Sequence, residues 1–119
     1  MNGTSHDSQV LDLEHLRHQT AGDRALERDL LALFKTQCAR LRLLIQDGDL
    51  PVRRADAAHT LKGSARAIGA LRLASVADRL ETDLRNGDAA AVAPLMGLLD
   101  ETIEVTRQAL VDRERAIAA

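Results

Sequence analysis

Four residue types that could do chemistry together, His59, Lys62, Gly63 and Arg66, fall within eight positions of this 119-residue chain. They lie in the run His59-Thr60-Leu61-Lys62-Gly63-Ser64-Ala65-Arg66-Ala67-Ile68-Gly69-Ala70. On a helix turning about 100° per residue, Leu61, Ala65 and Ile68 fall about 200°, 240° and 180° round from His59. The apolar stripe therefore faces away from the imidazole, while Lys62, Gly63 and Arg66 lie within about 60° of it. Near pH 7 an imidazole is largely neutral and keeps a nitrogen lone pair, so His59 is a nucleophile that a partner's active site could reach. Two cations and a stretch of bare backbone beside it suit the holding of a phosphoryl group.

Each residue also has a bland reading. His59 alone is an ordinary exposed histidine, and Lys62 and Arg66 are solvated cations on an outer face. Gly63 alters the balance. A glycine inside a helix costs about 1 kcal/mol relative to alanine, and this one removes the side chain that would crowd the imidazole one turn earlier. Close helix packing is its alternative explanation, but its angle places it on the His59 side, away from Leu61 and Ile68. Lys62 can reach negative phosphoryl oxygens, and Arg66 can add a second cation or pair with an acidic partner. Ser64, about 140° from His59, is expected to pack as a small residue or to bond back to its own helix. His15 and His18 share a helix face and form a possible metal pair. With His6 and Cys38 elsewhere, no complete ligand set has a recognisable spacing, so no metal site is assigned.

The elements that must position these residues are helices. Apolar residues make up 45% of the chain and charged residues 29%, which excludes a disordered polymer, and Phe34 is the sole aromatic. A core of leucine, isoleucine, valine and alanine favours helix over strand. Leu11, Leu13 and Leu16 mark a short first helix ending near Thr20 to Gly22. Leu26, Leu30, Leu33/Phe34, Leu41 and Leu44/Ile45 form one helical stripe with a gap at Gln37/Cys38. Leu73, Val76/Ala77, Leu80 and Leu84 form another, and Val92, Leu95/Met96, Leu99, Ile103 and Leu110 a third. Gly22-Asp23, Gly48-Asp49 and Gly87-Asp88 each read as a helix stop followed by a cap for the next helix. Pro51 suits the first turn of the His59 helix, and Gly69 closes it just before Leu71 opens the next. So short a connection favours antiparallel neighbours. The sum is an all-α fold, an antiparallel four-helix bundle with a short additional N-terminal helix. A flexible leader is expected over 1–9 and a single bundle domain over 10–119.

A net charge of −2 argues against general nucleic-acid binding. Cys38 is the only cysteine, which favours a reducing compartment. The polar start carries no secretory signal, and no stretch is apolar and long enough to span a bilayer. A cytoplasmic protein without membrane contact is expected. Charged outer faces suggest a monomer, and the start at Met1 favours a free-standing protein.

The segment His59-Thr60-Leu61-Lys62-Gly63-Ser64-Ala65 with Ile68-Gly69-Ala70 closely resembles the signature of histidine-containing phosphotransfer (HPt) domains. The likeness covers roughly residues 11–115 and extends to Phe34, the Gly-Asp turns at 48–49 and 87–88, and the leucine-rich helix after Gly69. It implies that His59 is the phosphoryl acceptor, that Lys62 assists the phosphoryl group, that Gly63 leaves the imidazole accessible and that Gly69 ends the helix. It implies receiver domains of hybrid histidine kinases and response regulators as partners, in a multistep two-component phosphorelay. The phosphoryl group comes from one receiver aspartate and passes to another. It further implies a phosphocarrier rather than an enzyme, with Mg²⁺ and the catalytic groups supplied by the receiver and no cofactor of its own. Ala65 replaces a common second serine, and Arg66 adds charge where many relatives have a small or polar residue, which bears on which receiver docks. Two other classes stay open at the level of sequence: a helical interaction module that binds a receiver or kinase without carrying phosphate, and a metal-binding bundle built on His15 and His18.

Overall fold

The computed structural model describes residues 9–118, and the described residues form helices and connecting turns only. The leader expected over 1–9 lies outside them but for Gln9. Helix α1 spans Leu13–Gln19, α2 Arg24–Asp47, α3 Pro51–Ile68, α4 Leu71–Arg85 and α5 Ala89–Ala118. The four long helices form the antiparallel bundle and α1 is the short additional helix. No helix among the described residues is long and apolar enough to cross a membrane.

Two of the three Gly-Asp pairs punctuate the chain as expected. Gly22 and Gly87 take positive φ of 76° and 69°. Asp23 then accepts from the Leu26 amide at 3.1 Å, and Asp88 from the Ala91 amide at 3.0 Å. The third pair behaves differently. Gly48 is extended, with φ −60° and ψ 139°, and Leu50 rather than Asp49 stands at the N-cap of α3, without a side-chain cap. Glycine is needed there for space: a Cβ would lie 2.5 Å from the Leu44 carbonyl oxygen and 2.6 Å from Arg54 Cγ. The Arg54 stem crosses that point so that its Nε can donate to the Ile45 carbonyl at 2.6 Å, satisfying the open end of α2. Pro51 occupies the first turn of α3, where its missing N–H costs nothing.

Gly69 ends α3 in the left-handed region at φ 86°, and the Ala70 amide donates back to the Ala65 carbonyl at 2.8 Å. The Asp12 amide in turn donates to the Gly69 carbonyl at 2.9 Å, which ties the segment before α1 to the α3–α4 corner. Of the helix pairs, α3 and α4 share the most extensive interface. Buried Ala55, Ala58 and Ala65 on α3, with Ala74 and Ala77 on α4, let the two backbones approach closely.

The α4 and α5 stripes are buried as read from the sequence, with Met96 and Ile103 partly covered. The α2 stripe is buried only in part, at Phe34, Leu41 and Ile45. Its buried row is Glu27, Leu31, Phe34, Cys38, Leu41 and Ile45, and Leu26, Leu33 and Leu44 are exposed. The sequence reading followed the leucines, whereas the helical repeat runs through Glu27 and Cys38. Cys38 therefore fills the core rather than marking a gap. Glu27 can face inward because Arg113 of α5 pairs with it through Nε at 2.5 Å and a terminal nitrogen at 3.1 Å. Two more ion pairs, Arg42–Asp100 at 2.7 Å and Lys35–Glu114 at 2.6 Å, close the same α2–α5 seam.

Candidate functional site

Midway along α3, the apolar row Ala55, Ala58, Leu61, Ala65 and Ile68 turns inward and carries His59 to the outside. The His59 side chain is 63% exposed. It is not loose in solvent, because Glu81 of α4 reaches across and places both carboxylate oxygens against its Nδ1, at 3.1 and 3.0 Å. A carboxylate can only accept hydrogen bonds, so the ring hydrogen sits on Nδ1 and the lone pair on Nε2. No hydrogen bond engages Nε2 among the described residues. The fold thus selects one tautomer and leaves its nucleophilic nitrogen open.

Glu81 is held ionised by its neighbours. Its side chain is 12% exposed. Lys62 Nζ donates to Oε1 at 2.7 Å and Arg85 Nε to Oε2 at 3.0 Å. The Lys62 bond, helped by those from His59 and Arg85 and opposed by desolvation, lowers the Glu81 carboxyl from 4.5 to about 2. The network continues outward on both sides. Lys62 also donates to Asp78 at 3.1 Å, and Arg85 to Asp56, one turn before His59, at 3.1 Å. Bonds to Glu81 and Asp78 raise the Lys62 ammonium further above its ordinary range.

Lys62 therefore differs from the free cation expected on the outer face. Its side chain is only 15% exposed and its ammonium is shared between two carboxylates. It lies beside the ring, and its two carboxylate partners engage two of its three N–H donors. A Cβ at Gly63 would meet nothing within 4 Å, so packing does not require the glycine. Arg66 is exposed and forms no ion pair among the described residues. Ser64 is half-buried and does not bond to its own helix. It donates to Gln37 Oε1 of α2 at 3.1 Å and so joins the His59 helix to the exposed side of α2. There Leu33, 63% exposed, shares one face of α2 with the exposed Leu26 and Leu44.

Glu81 is the residue that the reading of α3 alone missed. Its signal was present: Ala77, Leu80, Glu81 and Leu84 are consecutive members of the buried α4 stripe, and a carboxylate inside such a stripe requires a partner. His15 does not offer a free ring, since its Nε2 lies 3.2 Å from the Ala67 carbonyl and 3.4 Å from Gln19. No group of three or more His, Cys, Asp or Glu is placed to hold a metal among the described residues.

The imidazole of fixed tautomer thus stands on an outer face of a bundle of antiparallel helices. Residues 29–109, from the first turns of α2 to the last turns of α5, match the family model of the Hpt domain, and the chain belongs to that family. No curated protein and no solved structure matches it. Members of the family are phosphocarriers of phosphorelays, and they work with receiver domains.

Proposed function

We propose that the chain is the histidine phosphotransfer intermediate of a multistep two-component phosphorelay, with His59 as the phosphoryl acceptor. The observation that carries this reading is the outward, unpartnered Nε2 of an imidazole whose other nitrogen is fixed by Glu81. In the forward step the Nε2 lone pair attacks phosphorus of a receiver's aspartyl phosphate, the P–O bond to that aspartate breaks, and the carboxylate leaves with its electron pair. The onward step is the reverse of this, with a second receiver's aspartate as nucleophile. Mg²⁺ and the groups that stabilise the transferring phosphoryl come from the receiver, so this chain contributes position and a nucleophile.

The receiver docks over α3 and the preceding helix. Gly63 leaves room for it above His59, the exposed Leu26, Leu33 and Leu44 supply apolar surface, and Arg66 supplies an exposed cation that bears on which receiver fits. Lys62 stabilises the bound phosphoryl group with the N–H that Glu81 and Asp78 leave unused. The protein acts as a monomer in the cytoplasm, a setting supported by its single, unpaired and buried cysteine.

The test is transfer from a phosphorylated receiver to the purified protein, with the product mapped by mass spectrometry under non-acidic conditions. An acid-labile phosphate on His59, absent from a folded His59→Gln variant, is the expected result. Binding of receivers without any label on His59 would assign the chain instead to the non-phosphorylated interaction modules.

A further inference from the structure

Glu81 faces His59 with a charge that the phosphoryl-transfer chemistry does not by itself demand, since a neutral acceptor would fix the same tautomer. The charged groups around the ring are Asp56, Lys62 and the exposed Arg66 on α3, and Asp78, Glu81 and Arg85 on α4, and of these Glu81 alone bonds to the ring.

The proposal rests on the phosphocarrier reading and deepens it. We propose that Glu81 keeps the Nδ1 proton of His59 in place through the whole cycle, so that the phosphoryl group is carried on an imidazolium and released from a neutral imidazole. The balance is simple. When Nε2 forms its bond to phosphorus, the donor's O–P bond breaks and the Nδ1 hydrogen does not move, so the ring becomes cationic. When the N–P bond breaks, its electron pair returns to Nε2 and the ring is neutral again. No proton enters or leaves in either direction.

The geometry opposes the competing course. Loss of the Nδ1 proton from the phosphorylated ring would set a nitrogen lone pair against two carboxylate oxygens at 3.0 and 3.1 Å, all three of them acceptors. Neither oxygen can rotate away cheaply, because Lys62 and Arg85 hold Oε1 and Oε2 from the other side. An unprotonated phosphohistidine must expel an imidazolate, a far poorer leaving group than imidazole. Glu81 therefore acts as a positioning residue that holds the carried group in its labile form at neutral and mildly alkaline pH, where an unassisted ring would give up its proton.

Phosphoramidate, a small-molecule donor that needs no receiver, allows the test on the isolated full chain. The protein is labelled on His59, freed of donor, and the loss of phosphoryl followed by ³¹P NMR across about pH 6 to about pH 9. Wild type is expected to lose its label at a nearly constant rate, with the ¹⁵N signature of a protonated Nδ1 throughout. Glu81→Gln keeps an acceptor for Nδ1 but not the charge. Its label is expected to persist longer as pH rises, by about tenfold at the alkaline end, the ratio that one unit of proton affinity gives. A wild-type rate that falls with pH in parallel with Glu81→Gln would overturn the proposal, as would an unprotonated Nδ1 in the wild-type phosphoprotein at pH 8. The ¹⁵N measurement needs no variant, so poor folding of Glu81→Gln leaves the question decidable. Labelling by phosphoramidate with refusal by every receiver would remove the relay reading, while the pH profile would still decide the role of Glu81.

Discussion

His59 and Lys62 illustrate how one carboxylate changes the meaning of its neighbours. Glu81 turns an exposed histidine into a ring of known tautomer, and it draws the Lys62 ammonium off the surface into a shared bond. Lys62→Ala is accordingly expected to do two things. It slows phosphoryl transfer by about a hundredfold, the lower end of the range for loss of one preorganised donor, and it also lowers the melting temperature, because Glu81 and Asp78 lose a common partner. A free surface lysine would have left stability untouched, so a thermal melt separates the two descriptions. The Glu81 carboxyl makes a pH prediction of determinate sign. Its value falls from 4.5 to about 2 in the folded protein, so its stabilising contribution is fully present above about pH 4.5 and disappears as pH falls toward about 2. Melting temperatures of wild type and Glu81→Gln should differ at neutral pH and converge across that window.

Gly63 and Gly69, both in the His59 helix segment, do opposite work. Gly69 sits at φ 86° with the Asp12 carbonyl oxygen 2.9 Å from where a Cβ would be, so the α3–α4 corner requires it. Gly63 sits in an ordinary helical conformation facing open space. Gly63→Ala should therefore stabilise the protein by about 0.5–1 kcal/mol, the helix-propensity difference, as read by denaturant unfolding. Gly63→Leu should fold equally well and yet slow transfer from a receiver, because the added side chain stands one turn from the ring. Undiminished transfer in Gly63→Leu would remove the argument that this glycine is kept for access. The element scale also shows why the α2 stripe is buried only in part: leucines at nearly every turn make a convincing stripe, but the buried row is set by what the other helices offer, and Arg113 offers Glu27 a partner.

At the scale of the whole molecule, the bundle closes unevenly. The α3–α4 interface is built from alanines and leucines, while the α2–α5 seam depends on ion pairs flanking Phe34, Cys38 and Leu110. Arg113→Ala would leave Glu27, 3% exposed, as a buried carboxylate without its cation, and is expected to cost about 3 kcal/mol in denaturant unfolding. Cys38 reports on the same seam. Burial pushes its thiol up to about 11, so at pH 8 it is both covered and protonated. Thiol reagents should modify it slowly in the native protein and rapidly once denaturant opens the bundle. Fast native modification would show that the seam opens locally.

The helices, their short connections and the display of His59, Gly63 and Arg66 on one face were legible in the chain, because helical periodicity and glycine stops act over a few residues. The two regular Gly-Asp turns were legible for the same reason. Three things were decided by the tertiary structure alone. Gly48 serves the passage of Arg54 rather than a turn, Ser64 reaches α2, and Lys62 with His59 meets a carboxylate 19 and 22 residues away. Each depends on which face of one helix meets which face of another. That register is fixed by packing and ion pairing summed over the whole core, and no local pattern encodes it.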